Sequence, residues 1–137
     1  MAKAKEFDDF RKGLEEFNTI CEKKATKQLR RVSMKALEMI VTGTPVLTGC
    51  CRGNWVVSVG DLCRVYSDQK FDVSGGATIN AGAATISSAK LGVDVLIENS
   101  CPYVFALENG WSRQRPAGSM IAKPLAQLKA AIANGAK

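Results

Sequence analysis

The chain has 137 residues, 46% of them apolar and 23% charged, with a formal net charge of +6 and no histidine. That length fits one domain with one core, and the missing imidazoles exclude Ser-His-Asp and Cys-His nucleophile systems and histidine-ligated zinc. The five cysteines form no Cys-x-x-Cys pair, no secretory leader precedes them, and no apolar run nears the ~20 residues of a membrane span, so a cytosolic protein without a disulfide framework or membrane contact is expected.

Residues 5–41 carry a helical pattern. Phe7, Phe10, Leu14, Phe17 and Cys21 recur at 3-4-3-4 spacing, and Ala25, Leu29, Val32, Ala36 and Ile40 continue it. Such a stripe ordinarily means core, and in an assembly it also means contact with a neighbouring subunit. The length invites a break near Gly13 or within "NTICEKKATKQ", and Asp8 and Lys12 are spaced for an i,i+4 ion pair. Gly43 and Pro45 end the helix.

"TGTPVLTGCCRG" reads as a loop leading into the strand "NWVVSVG", and a further short strand is expected at 63–66. Residues 77–89 favour a helix capped by Ser74, although Gly82 speaks against it. "VDVLIENS" reads as a second strand. "PYVFALENG" reads as a short helix opening on Pro102 and closing at Gly110. The C-terminal stretch gives an amphipathic helix through Met120, Ile121, Leu125, Leu128 and Ile132, in which Pro124 fits only within the first turn. The sum is an α+β chain: a helical segment over 1–41, then a core over 42–137. That core is a small antiparallel or mixed sheet with helices on one face and a C-terminal helix.

Charge is unevenly spread. Residues 1–41 hold ten basic and seven acidic side chains, whereas beyond Glu108 there are five basic residues (Arg113, Arg115, Lys123, Lys129 and Lys137) and no acid. An acid-free basic tail suits nucleic acid or an acidic partner surface, and it equally suits a solvated face.

No reaction chemistry emerges. Asp94 and Glu98 share a strand face about 13 Å apart, too far for a glycosidase pair. No glycine-rich stretch ends in the Lys-Ser/Thr of a phosphate loop. Cys50 and Cys51 read as small buried residues. Trp55, Tyr103 and Phe105 are expected in the core. Glu108 is expected either to pair with Arg52 or Arg113 or to cap a turn. Trp111, Arg113, Arg115, Lys123 and Lys129 are the candidates for an interface or channel-facing surface. No enzyme activity, metal or cofactor is expected.

Two segments carry a family resemblance. In "TPVLTGCCRGNWVVSVG", Pro45, Thr48, Gly49, Arg52 and Trp55 match a turn that enters a strand. In "IENSCPYVFALENGWSRQRPAGSM", the matching residues are Asn99, Pro102, Tyr103, Leu107, Glu108, Gly110, Ser112, Gln114, Pro116 and Gly118, with Met120 after an inserted Ser119. Both segments, in this order, resemble the minor tail or neck protein family of long-tailed bacteriophages, the tail-completion or head–tail joining components. Cys50-Cys51 and Arg115 depart from that pattern.

The resemblance implies a structural virion protein at the head–tail junction, assembled in the host cytoplasm. It would form a homo-oligomeric ring, a hexamer or dodecamer, around the DNA channel. The implied neighbours are neck proteins on the head-closure or portal side and the tail terminator or tail tube, with non-specific contact to packaged DNA. A tail terminator capping the tube is the alternative within this class. A free basic DNA-binding module is the alternative outside it.

Overall fold

A computed structural model describes residues 2–135, so Lys137 of the basic tail lies outside the described residues. The elements are α1 (Ala2–Gly43), α2 (Cys50–Gly53), β1 (Trp55–Val59), α3 (Gly76–Ile86), β2 (Val95–Asn99), α4 (Val104–Glu108) and α5 (Ala122–Ala133). The expected α+β architecture is what forms.

α1 is a single helix of 42 residues without the expected break. Gly13 has no neighbour that a side chain would meet. It therefore costs the helix about 1 kcal/mol in propensity but no continuity. The ion pair in this stretch is Arg11 with Asp8 at 2.8 Å, one residue short of the expected Asp8–Lys12 pair. The buried side chains of α1 are Ser33, Leu37 and Val41, so the packed face is turned away from the stripe that the spacing suggested. Residues 2–24 are exposed throughout.

β1 and β2 form a two-stranded antiparallel sheet, with Trp55 opposite Asn99, Val57 opposite Ile97 and Val59 opposite Val95. Alternation puts Trp55, Val57, Val95 and Ile97 on one face. There they meet Leu37 and Val41 of α1, Ile86 of α3 and Met120. A two-stranded sheet is marginal alone and needs such a covering helix layer. On the opposite face the Glu98 carboxylate accepts the backbone N–H groups of Cys63 and Arg64. Residues 63–66 thus cross as a loop and are not a strand: the Cys63 and Arg64 N–H groups bond a side chain instead of a neighbouring strand.

α3 crosses the sheet at close quarters. A Cβ on Gly82 would collide with Leu37 and would lie 2.9 Å from Val57. Glycine there, which argued against a helix, is what lets the helix lie against α1 and β1. The helix ends at Ile86, and one turn closed by Ala89 N–H to Ile86 C=O carries the chain away. Its cap is not Ser74 alone. Asp72 accepts the Gly75 and Thr78 N–H groups at 3.0 and 2.8 Å and the Thr78 hydroxyl at 2.7 Å. Burial would raise the Asp72 pKa, but these bonds outweigh it and hold the carboxyl below its ordinary value. Pro124 is buried in the first turn of α5, where no intrahelical N–H is owed.

Candidate assembly surface

The two motif segments lie against each other, and several of their polar side chains bond backbone groups. The Gln114 side chain accepts the Val46 N–H at 2.9 Å and donates to the Val46 C=O at 2.6 Å, across 68 positions of sequence. Asn99 donates to the Cys51 carbonyl at 2.7 Å and accepts from the Cys101 N–H at 2.9 Å. Thr48 Oγ1 accepts the Cys50 N–H at 3.3 Å and Ser112 Oγ accepts the Gln114 N–H at 3.1 Å, one at each side of the pairing. Gly49 has φ +88, and a Cβ there would lie 2.8 Å from the Asp72–Val73 backbone. The Thr-Gly of the first motif is thereby explained, because only glycine takes this conformation against a neighbouring chain without strain.

Arg52 donates to the carbonyls of Val73 at 2.7 Å, Thr44 at 2.6 Å and Thr42 at 3.2 Å, and Arg115 adds a bond to Thr42 at 3.3 Å. The last turn of α1 contains no basic residue of its own, so these two arginines supply the positive charge that the carbonyl end of a helix favours. Burial, then the nearby Arg115, pulls the Arg52 pKa down from its ordinary value. Trp55 is buried as expected and donates through Nε1 to Thr44 Oγ1 at 2.8 Å.

Glu108 pairs with neither Arg52 nor Arg113. Its carboxylate accepts the N–H groups of Ile121 at 2.8 Å and Ala122 at 3.4 Å, and its backbone C=O accepts the Gly118 N–H at 2.7 Å. It is the cap of α5, at the helix end where negative charge is favoured. Pro102 stands in a turn two residues before α4, and the Gly110 N–H to Leu107 C=O bond closes the far end. The loop through Pro116 then returns the chain towards α5.

Tyr103 and Phe105 are not core residues. Phe105 is 79% exposed and Tyr103 42%. α4 has only five residues, and its core-facing side is taken by Val104 and Leu107. Trp111 is 82% exposed and Leu47 94%. Between the 45–51 loop and α4 runs a groove of ≈ 540 Å³, lined by Leu47, Cys51, Tyr103, Leu107 and Arg113 among others. Arg113 lies on this groove. Arg115 and Lys123 lie together on a separate depression at the end of α1, and Lys129 is exposed on α5 in neither place. The basic candidates are thus dispersed, not gathered into one patch.

Cys50, Cys51 and Cys101 are buried and free, as read for the first two. Burial, then the Cys101 thiol, pushes Cys51 up to about 12, so it holds its proton at neutral pH and is a poor nucleophile. Among the described residues no group of three or more His, Cys, Asp or Glu side chains is placed to hold a metal ion. Asn54 was missed by sequence reasoning. It is buried, donates to the Cys50 and Ser67 carbonyls and accepts the Ser67 N–H, and only the polar residue just before a β-branched strand hinted at it. Comparison with protein-family models, curated proteins and solved structures finds no match.

Proposed function

We propose that this chain is a structural subunit of the bacteriophage neck, joining or completing the tail at the head–tail interface as part of a ring around the DNA channel. The observation that carries the reading is the pairing of the two motif segments. Gln114, Asn99, Glu108 and Arg52 are consumed in backbone bonds that fix loop shape. Motif residues used this way specify a scaffold. Leu47 is exposed on an apolar groove, and Phe105 and Trp111 are exposed as well, a pattern that suits burial against neighbouring subunits. A ring needs such unlike surfaces to meet head to tail and close by rotation.

The dispersed arginines and lysines favour this reading over a free DNA-binding module, which concentrates its basic residues on one face. The test is genetic and structural. Loss of the gene from the parent phage is expected to leave filled heads and tails of normal length that fail to join, and imaging of intact virions is expected to find the chain at the junction. Tails of uncontrolled length would point instead to the terminator. Virions without the chain at the junction would overturn the assignment.

A further inference from the structure

We propose that residues 2–24 of α1 form a parallel two-helix coiled coil with the same segment of a second copy. The pairing does not depend on the neck reading and is tested on the isolated chain.

The two halves of α1 differ in what they touch. Over the C-terminal half, Leu37 and Val41 enter the core and α5 runs antiparallel alongside. Gly43 sits by Ser119 at one end, and Val32 and Lys35 share a cavity with Leu128 and Ile132 at the other. α5 stops at Ala133. Beyond it the arm continues for some 35 Å by the helix rise, with every residue from 2 to 24 exposed.

Along that arm Phe7, Leu14 and Cys21 fall at heptad position a, and Phe10 and Phe17 at position d. Phe7 is 79% exposed, and Phe10, Leu14 and Phe17 are also bare. At ~100° per residue this seam lies about 160° around the helix from Ser33, Leu37 and Val41. A straight helix therefore cannot bring both stripes to the same body. The core claims one side and leaves the other for a different molecule.

Charge selects the partner and its direction. Residues 2–24 contain six acidic and six basic side chains. A neutral helix with a narrow a/d seam lacks the basic face that favours lipid surfaces or nucleic acid. In a parallel pair, position g of one helix faces position e five residues on in the other. Glu6 then meets Arg11 of the second copy, and Ile20 meets Ala25. Gly13, also at g, places no side chain against the seam. Arg11 bonds Asp8 of its own chain at 2.8 Å, which leaves further guanidinium donors for Glu6. In an antiparallel pair e faces e and g faces g, and Glu6 and Arg11 no longer meet.

Each phenylalanine carries roughly 150–250 Å², so three of them with Leu14 bury on the order of 1,000 Å² over both copies. That is the lower bound of a specific interface, so a weak, concentration-dependent pairing is expected.

The test uses the full chain. Sedimentation is expected to show a monomer–dimer equilibrium across micromolar concentrations. Phe10→Glu with Phe17→Glu is expected to weaken it at least 100-fold with the thermal unfolding of the body unchanged. Cys21 is exposed at an a position, where parallel in-register helices bring the two thiols within disulfide reach. In a Cys63→Ser background, diamide is expected to oxidise the Cys21 thiols to one interchain disulfide, being itself reduced to the hydrazine. Adding Cys21→Ser is expected to abolish the link. Glu6→Arg is expected to weaken pairing several-fold, and adding Arg11→Glu to restore it. A monomer at all concentrations, a dimer indifferent to the double glutamate variant, or a dimer that diamide does not cross-link through Cys21 would each overturn the proposal. Flotation of the monomer with anionic vesicles would overturn it in favour of a membrane surface.

Discussion

Gln114 and Val46 lie 68 residues apart, yet the side-chain amide of one pairs with both backbone groups of the other, at 2.9 and 2.6 Å. The glutamine imitates one rung of a β-ladder and ties the loop before α5 to the loop after α1. Gln114→Glu keeps an acceptor for the Val46 N–H but sets a carboxylate against the Val46 carbonyl. Since the pair is exposed, a loss of about 1 kcal/mol is expected, seen as a fall of roughly 4 °C in thermal midpoint. Gln114→Asn is expected to do the same by falling short. A variant as stable as the parent in either case would show that the pairing contributes nothing.

Gly82→Ala offers a conflict of two effects whose sizes differ. In an isolated helix alanine gains about 1 kcal/mol over glycine. Here the new methyl would collide with Leu37 and press on Val57, and overpacking costs about 1–3 kcal/mol. Net destabilisation of about 1 kcal/mol is therefore expected by denaturant titration. Leu37→Val in the same chain is expected to relieve part of it, so the double variant should lose less than the sum. Strict additivity would mean that α3 simply shifts away.

Much of the fold is legible because periodicity and punctuation are local. Val57 and Ile97 alternate in strands, Gly43 with Pro45 stops α1, and Pro124 is admitted only in a first turn. The misreadings share one cause, which is that burial is decided by partners distant in sequence. The stripe through Phe7 and Phe17 obeys helical spacing perfectly, but the body packs on Leu37 and Val41 from another direction. Phe105 looks like core until α4 proves to be five residues long with Val104 and Leu107 already facing inward. Glu108 could be placed only by knowing where α5 begins.

Asp72 makes the start of α3 sensitive to acid. Its folded pKa is depressed below the unfolded carboxyl value by the Thr78, Gly75 and Ser74 bonds. The sign follows directly: its contribution is present above the unfolded value near 4 and is lost as pH falls through the folded one. Asp72→Asn is expected to lower stability at neutral pH by about 1–2 kcal/mol. The gap between variant and parent should then narrow below about pH 4. Parallel stability curves across that range would remove the carboxylate from the account.

Glu108 distinguishes a helix cap from an ion pair. As a cap it satisfies the Ile121 and Ala122 N–H groups, and no arginine or lysine forms a salt bridge with it among the described residues. Glu108→Ala leaves both donors to water and removes negative charge from the start of α5, a loss of about 1 kcal/mol. Glu108→Gln keeps one acceptor oxygen and is expected to recover roughly half of that loss. Arg52→Lys and Arg113→Ala, by contrast, are expected to couple with neither Glu108 variant in double-mutant cycles. Melting curves of the single and double variants give the answer: coupling to either arginine would restore the ion-pair reading, and none would leave Glu108 as the residue that sets where the last helix begins.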